Sequence, residues 1–253
     1  MADEPTRDPP PSKTLATSRD GAVLFAEIAA PPMNLLGPEL VRDLVSLIES
    51  AEADDSVKVV VFKSADPDYF ISHVDLTRVA EYRAEAAKLT GEASIALVFR
   101  HLSASRLVTI AQIEGRVRSA GSEFVLACDM RFAARESAIF AQFESAFGWI
   151  PGGGATQYLA RIMARARALE VLLSADDYDA ELAERYGLDQ SSLPARTLST
   201  SSVLSPGGSS AFPAAGRVAI KDRVNAITPA PVDTSVATPT SSAMACAPPR
   251  RKA

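Results

Sequence analysis

Two glutamates stand where a carboxylate pair could do acid and base work. Glu123 closes the small-residue stretch Ser119-Ala120-Gly121-Ser122-Glu123, and Glu144 lies within Ala141-Gln142-Phe143-Glu144-Ser145. A positioned carboxyl that gives or takes a proton in a transition state contributes about 10²–10⁴ in rate. Two carboxyls sharing a partly dry site also push each other's proton affinities apart, so that one serves as acid while the other serves as base. A glutamate in a short helix ordinarily faces solvent. The pair therefore acquires chemical meaning only from the elements that bring its two segments together.

Those elements are legible in outline. Val23 to Ile28 reads as a strand that Pro31 and Pro32 terminate. Gly37-Pro38 opens a helix whose apolar face runs through Leu40, Val41, Leu44, Val45, Leu47, Ile48 and Ala51, ending near Asp54. Val57 to Phe62 is a β-branched run, the signature of a buried parallel strand. After the Asp66-Pro67-Asp68 turn, Phe70 to Asp75 leads into a long helical region reaching Leu102, with Gly91 as its interruption. Leu107 to Ile113 reads as another buried strand ended by Gly115, residues 120–128 as a short helix carrying Glu123, and Met130 to Ala133 as a strand. Ile139 and Phe140 form a brief extended piece before Glu144. The Pro151-Gly152-Gly153-Gly154 turn precedes helices over 155–173 and 179–186, with Thr156 as the expected cap of the first.

Composition narrows the function classes. The chain has 253 residues, 47% of them hydrophobic, enough for a sizeable core. A net charge of -5 argues against nucleic acid as a partner. No apolar run is long enough to cross a bilayer, and the acidic, proline-rich start lacks a secretory pattern, so no membrane partner and a cytoplasmic setting are expected. Cys128 lies in an apolar run and Cys246 in a polar tail, which favours a buried thiol over a disulfide. His73 and His101 with scattered acids make no metal pattern. The three glycines at 152–154 lack the Lys-Ser/Thr that a phosphate loop requires, so no nucleotide cofactor is expected.

In combination and order, several segments resemble the crotonase family, the enoyl-CoA hydratase/isomerase superfamily. They are Pro32-Met-Asn-Leu-Leu36, Val59 to Ser64, Tyr69-Phe-Ile-Ser-His-Val-Asp-Leu76, Glu114 to Glu123, Cys128 to Ala133 and Phe143 to Gln157. The resemblance spans about residues 20–187. It implies an α/β fold, a spiral of ββα units with two sheets and a C-terminal helical region, assembled as a homotrimer or dimer of trimers. It also implies an acyl-CoA thioester substrate, with coenzyme A as part of the substrate rather than a cofactor. Carried over by motif position, the backbone N–H groups of Val74 and Ala120 would form an oxyanion hole for the thioester enolate, the kind of fixed dipole pair that is often the largest catalytic term. Glu123 and Glu144 match the two hydratase glutamates, with Glu123 activating water for attack at C3 and Glu144 giving a proton to C2. Substrate contacts are expected from His73, Asp75, Gly121, Arg116 and Gly152. Hydration of a 2-enoyl-CoA to a 3-hydroxyacyl-CoA is the leading expectation, ahead of an enoyl-CoA isomerase using Glu144 alone and of a non-catalytic family member.

The sequence departs from the family pattern at Ser72-His73, at Ser119-Ala120-Gly121 where relatives carry glycines, and at Phe143 where proline is common. Arg116 and Arg118 flank one turn, and either could reach CoA phosphates. Three regions follow along the chain: an arm over 1–12 with four prolines, a core over 13–187, and an aberrant Ser/Thr/Pro/Ala-rich tail over 188–253 with a helix near 213–227. No glutamate follows Glu184. This loss, return and renewed loss of family-like pattern is what compensated reading-frame changes in the coding sequence would produce.

Overall fold

The computed structural model describes residues 12–198 and 214–228; the proline-rich arm up to residue 11 and most of the Ser/Thr/Pro/Ala-rich tail lie outside the described residues. Its strands are β1 (Leu15–Asp20), β2 (Val23–Ile28), β3 (Val59–Ser64), β4 (Tyr69–Ile71), β5 (Val108–Ile113), β6 (Arg116–Arg118), β7 (Met130–Ala134), β8 (Ile139–Ala141), β9 (Tyr178–Asp179) and β10 (Ser191–Leu193). The helices are α1 (Pro38–Ala53), α2 (Val79–Thr90), α3 (Ile95–Ala104), α4 (Ala120–Ala127), α5 (Ala155–Ser174), α6 (Ala180–Tyr186), α7 (Ala195–Leu198) and α8 (Ala214–Asn225), with a 3-10 turn at Glu144–Phe147.

The larger sheet has the order β1-β2-β3-β5-β7-β10 and the smaller the order β4-β6-β8-β9. Helices alternating with these two mixed sheets form the ββα spiral of the crotonase fold. Central β3 and β5 pair in parallel, and alternate side chains along β3 enter separate cores. Val60 and Phe62 join the main core with α1, α3 and α4, whereas Val59 and Val61 join a smaller cluster with Ile110, Phe132 and Leu198 of α7. Covering on both faces explains the unbroken apolar run of β3.

Local signals account for the helices. Pro38 sits in the first turn of α1, where its missing N–H costs nothing, and Glu39 meets the positive helix end. Gly91 separates α2 from α3 in the left-handed conformation at φ 79°, as its position in the sequence led us to expect. Phe124 anchors α4 among Phe62, Phe70 and Phe99, with ring centroids 5.0, 6.4 and 5.8 Å away.

Several elements were not foreseen. β1 pairs antiparallel with β2 from Leu15 to Asp20 although its outward residues are polar, because only Leu15 needs burial at this edge. The three-residue strands β4 and β6 are too short to show a period, so Arg116 and Arg118 sit on a strand rather than beside a turn. Order also continues past Gly187. Buried Arg131 donates to Leu188 O at 2.7 Å and to Cys128 O at 3.0 Å, and β10 lies parallel to β7. β10 is Ser-Ser-Leu, whose small side chains carry no strand signature. Cys128 is a buried thiol; Cys246 lies outside the described residues.

Candidate active site

The smaller sheet assembles the site. β4, β6 and β8 run parallel, with Ile71 opposite Val117 and Arg118 opposite Ala141. The chain therefore leaves all three strands at the same edge, where ligands ordinarily bind in parallel sheets. The exit of β4 leads into Ser72 to Asp75, that of β6 into Ser119 and α4, and that of β8 into Gln142 and the Glu144 turn. Segments far apart in sequence thus converge because their strands are neighbours.

Two backbone amides are left available at this edge. Leu36 N–H donates to His73 O at 2.9 Å and Asp75 N–H donates to Leu36 O at 3.2 Å, so this parallel bridge uses the residues flanking Val74 and turns Val74 N–H away from Leu36. Ala120 begins α4, where the first N–H groups have no intrahelical acceptor and the helix dipole favours an anion. Among the described residues neither the Val74 nor the Ala120 N–H has an acceptor. Gly121 lets α4 press onto β4: a Cβ there would stand 2.1 Å from Ile71 O. Its role in the structure is this close approach of backbones. Ser119 enters α4 with φ 45° and ψ -121°, a conformation that suits glycine.

Glu123 is 2% exposed, and its Oε1 accepts from Gly153 N–H at 2.7 Å and Ala155 N–H at 3.0 Å. Those donors belong to the first turn of α5. Thr156, expected to cap that helix, instead directs its Oγ1 to Gln157 Oε1 at 2.7 Å. The carboxylate of Glu123 does the capping, which holds it in one orientation. Gly153 makes room for it, since a Cβ there would lie 2.6 Å from Glu123 Oε2 and 2.8 Å from the Phe99 ring. Burial, reinforced by the charge of Glu144, pushes the Glu123 carboxyl up to about 8 against the opposing pull of the α5 amides.

Glu144 starts the 3-10 turn and is half-buried. Among the described residues its buried Oε2 has no hydrogen-bond partner, and neither do the side-chain polar atoms of Gln142 or the hydroxyls of Ser145 and Ser72. Burial raises the Glu144 carboxyl, and its own backbone N–H, followed by the Ser119 hydroxyl and the Phe143 backbone, pulls it part of the way back. The two glutamates are close enough to act on each other electrostatically.

The other expected site residues divide. The His73 ring is half-buried and folds back on its own chain, with Nδ1 2.5 Å from Val74 O. Asp75 Oδ1 accepts from Thr77 N–H at 2.9 Å and Thr77 Oγ1 at 2.6 Å, bonds that hold its carboxyl below the usual range and shape the loop into α2. Arg116 lies over the Tyr69 ring at 5.7 Å. Arg118 is paired with Asp177 and stacks on Phe143 at 4.9 Å, so a role on CoA phosphates would require it to leave both. Gly152 precedes Gly153, and it is Gly153 that touches Glu123. The Gly153 and Ala155 amides were not singled out from the sequence. The run of three glycines was their only signal. Among the described residues no cluster of three or more His, Cys, Asp or Glu could hold a metal, and no helix is long and apolar enough to cross a membrane.

A sheet edge with free amides and a coupled glutamate pair defines a class, and comparison with known proteins agrees. The sequence profile of the Enoyl-CoA hydratase/isomerase family matches residues 18–207. The chain belongs to that superfamily, whose members are also called crotonases. It is 32% identical over 170 residues to "Probable enoyl-CoA hydratase 2, mitochondrial" of Arabidopsis thaliana, covering 67% of this chain and 56% of that protein. It is 31% identical over 169 residues to the mitochondrial methylglutaconyl-CoA hydratase of Rattus norvegicus, covering 66% and 53%. The chain thus spans about half the length of these relatives. The crystal structure of a "putative enoyl-CoA hydratase" from Streptomyces avermitilis superposes with a TM-score of 0.84 at 48% identity, over 88% of this chain and 82% of that one.

Proposed function

We propose that the protein adds water to 2-enoyl-CoA thioesters, giving 3-hydroxyacyl-CoA. The observation that carries this reading is the electrostatically coupled pair Glu123 and Glu144, raised by burial at a sheet edge where the Val74 and Ala120 amides have no acceptor. With the thioester oxygen between those amides, negative charge developing on it meets fixed dipoles that need no reorganisation. At neutral pH Glu123 carries a proton in the resting site, and in this reading Glu144 stands ready to receive it. A water bridging both carboxyls passes that proton to Glu144 as it loses its own to Glu123. The hydroxide part attacks C3 while Glu144 protonates C2. His73, Asp75, Gly121, Arg116 and Gly152 border the bound thioester in this reading.

Loss of the conjugated enoyl-thioester absorbance on addition of enzyme tests the proposal. Hydration should be abolished or strongly depressed in Glu123→Gln and in Glu144→Gln, both folded by circular dichroism. Near-normal turnover in either removes that residue from the pair. Conversion of a 3-enoyl-CoA to the conjugated isomer, with no hydration of the latter, would instead identify an isomerase using Glu144, whose Oε2 is unpartnered. Neither reaction with an acyl-CoA panel would identify a non-catalytic member.

The same reading includes a cytoplasmic homotrimer or dimer of trimers. Ile220, Val224 and Ile227 form an exposed apolar stripe along and just beyond α8, 67%, 50% and 84% exposed, which supports assembly. A native mass equal to one chain overturns it. The frameshift reading of the tail predicts that another frame of the coding sequence encodes amphipathic helices over 188–211 and beyond 228. Absence of such helices in both alternative frames overturns it.

A further inference from the structure

A cleft with two arginines in its walls lies one residue from Glu123. Arg100 enters it from α3, one turn after Ala96, and Arg161 from α5, one turn after Gln157, so each helix turns one face to the same space. Gly153, whose N–H donates to Glu123 Oε1 at 2.7 Å, also lines it. The Tyr158 ring forms another part of the wall and is fixed through its hydroxyl, 2.9 Å from Ser103 Oγ, which itself donates to Ala127 O at 2.8 Å. Among the described residues lining the cleft the two arginines are the charged ones, and none is acidic. That is notable in a chain of net charge -5. A cleft lined by one sign of charge concentrates the opposite sign, and a guanidinium suits a carboxylate, whose two oxygens accept its N–H groups. Arg161 is exposed and directs Nη1 to Gln157 O at 2.8 Å, which uses one of its five donors. The space has room for about one or two water-sized groups, the size of a carboxylate.

We propose that this cleft binds a carboxylate, and that the carboxylate is the far end of the acyl group, so that the protein selects thioesters of dicarboxylic acids. With the thioester oxygen at the Val74 and Ala120 amides and the reacting carbons at the glutamates, an acyl chain that runs on past Glu123 arrives at Gly153 and the cleft. A carboxylate there meets both guanidinium groups. An alkyl end in the same place would strip water from them and return no hydrogen bond, so the cleft discriminates between the two. The source of the carboxylate rests on the acyl-CoA reading of the site; the carboxylate cleft itself does not.

The experiment is calorimetric titration of the full chain with saturated dicarboxylyl-CoA thioesters, with monocarboxylyl-CoA thioesters of the same chain length, and with free glutarate. Saturated thioesters have no double bond to hydrate, so binding is read whether or not the protein is a hydratase. The parent should bind the matching dicarboxylyl-CoA about 10–100-fold more tightly than its monocarboxylyl counterpart, the worth of hydrogen bonds to a charged group. Arg100→Gln and Arg161→Gln should each remove most of that preference, whereas Arg165→Gln, which takes a positive charge from α5 outside the cleft, should keep it. Because Arg161 is exposed, its variant decides the matter even where Arg100→Gln does not fold. Glutarate binding that depends on Arg161, with no preference between the thioesters, supports the carboxylate cleft and overturns its assignment to the acyl end. Binding of both glutarate and dicarboxylyl-CoA that is unchanged in folded Arg161→Gln overturns the proposal, as does absence of binding by either, and neither result bears on hydration of a monocarboxylic enoyl-CoA.

Discussion

At the residue scale, the site turns on how a carboxylate survives full burial. Glu123 does so by accepting two amide hydrogen bonds at the start of α5, yet burial and the neighbouring Glu144 still leave it with a raised proton affinity. A carboxyl raised in the folded state from 4.5 to about 8 favours the native protein when protonated. Its contribution is therefore complete below about pH 4.5 and is lost as the pH climbs through about 8. Glu123→Gln keeps an Oε1 acceptor for Gly153 and Ala155 while removing the charge. The variant should match the parent's stability near pH 4.5 and exceed it at pH 8–9, by an amount on the order of a few kcal/mol; parallel thermal melts at the two pH values, with the variant melting higher at the alkaline one, read the difference. The same substitution should depress hydration by roughly 10²–10⁴, a change seen in kcat rather than in KM.

At the element scale, the N-terminus of α5 and the β4–α4 contact set the geometry. Gly153 is required by the Glu123 carboxylate and the Phe99 ring that fill the place of a Cβ. Gly153→Ala should displace Glu123 and cut kcat/KM by about 10²-fold, the effect of a misplacement near 1 Å, with a loss of stability of about 1–3 kcal/mol. Gly121 meets the rigid backbone carbonyl of Ile71 rather than a flexible side chain, so Gly121→Ala should cost more than Gly153→Ala in a denaturant melt. These two glycines carry different information in the sequence. Both lie in stretches that resemble the family, but Gly121 stands alone between Ala120 and Ser122, whereas nothing local distinguishes Gly153 from Gly152 and Gly154. The strands around them were equally hard to read, because β4, β6 and β8 are three residues each and a period cannot be established over that length.

At the scale of the molecule, the helix that follows the Ser/Thr-rich stretch is fastened by polar contacts rather than by its apolar face. Arg217 donates to Lys58 O at 2.9 Å, Asn225 to Ser103 O at 2.9 Å, and Lys221 to both Leu107 O and Asp129 Oδ2 at 2.8 Å. The surface α8 meets is the ends of β3, β5 and α3, where backbone carbonyls need donors. Asp129 also accepts from Thr109 N–H at 2.8 Å, which ties this dock to β5. Lys221→Ala should cost about 1–3 kcal/mol, the worth of hydrogen bonds to a charged group, and should raise amide exchange across 214–225 in a hydrogen-exchange measurement. For the proposed hydratase, the rate should fall as the pH rises through about 8, where Glu123 loses the proton that the proposed relay delivers to C2. A rate profile flat across that range would contradict the shared-proton mechanism.

By itself the sequence determined the long elements and the candidate chemistry. Val57 to Phe62 read as a buried strand, Leu40 to Ala51 read as an amphipathic helix, and the order of motifs from Pro32 to Gln157 carried the family resemblance and both glutamates. These follow from hydrophobic period and from residue types that a single chain displays along its length. Tertiary structure alone decided the rest. It put the exits of β4, β6 and β8 on one edge, made Glu123 the cap of α5, and buried a Glu144 oxygen that has no hydrogen-bond partner among the described residues. Each of these depends on which segments become neighbours, and on the desolvation that follows when they do, neither of which is written in the local order of residues.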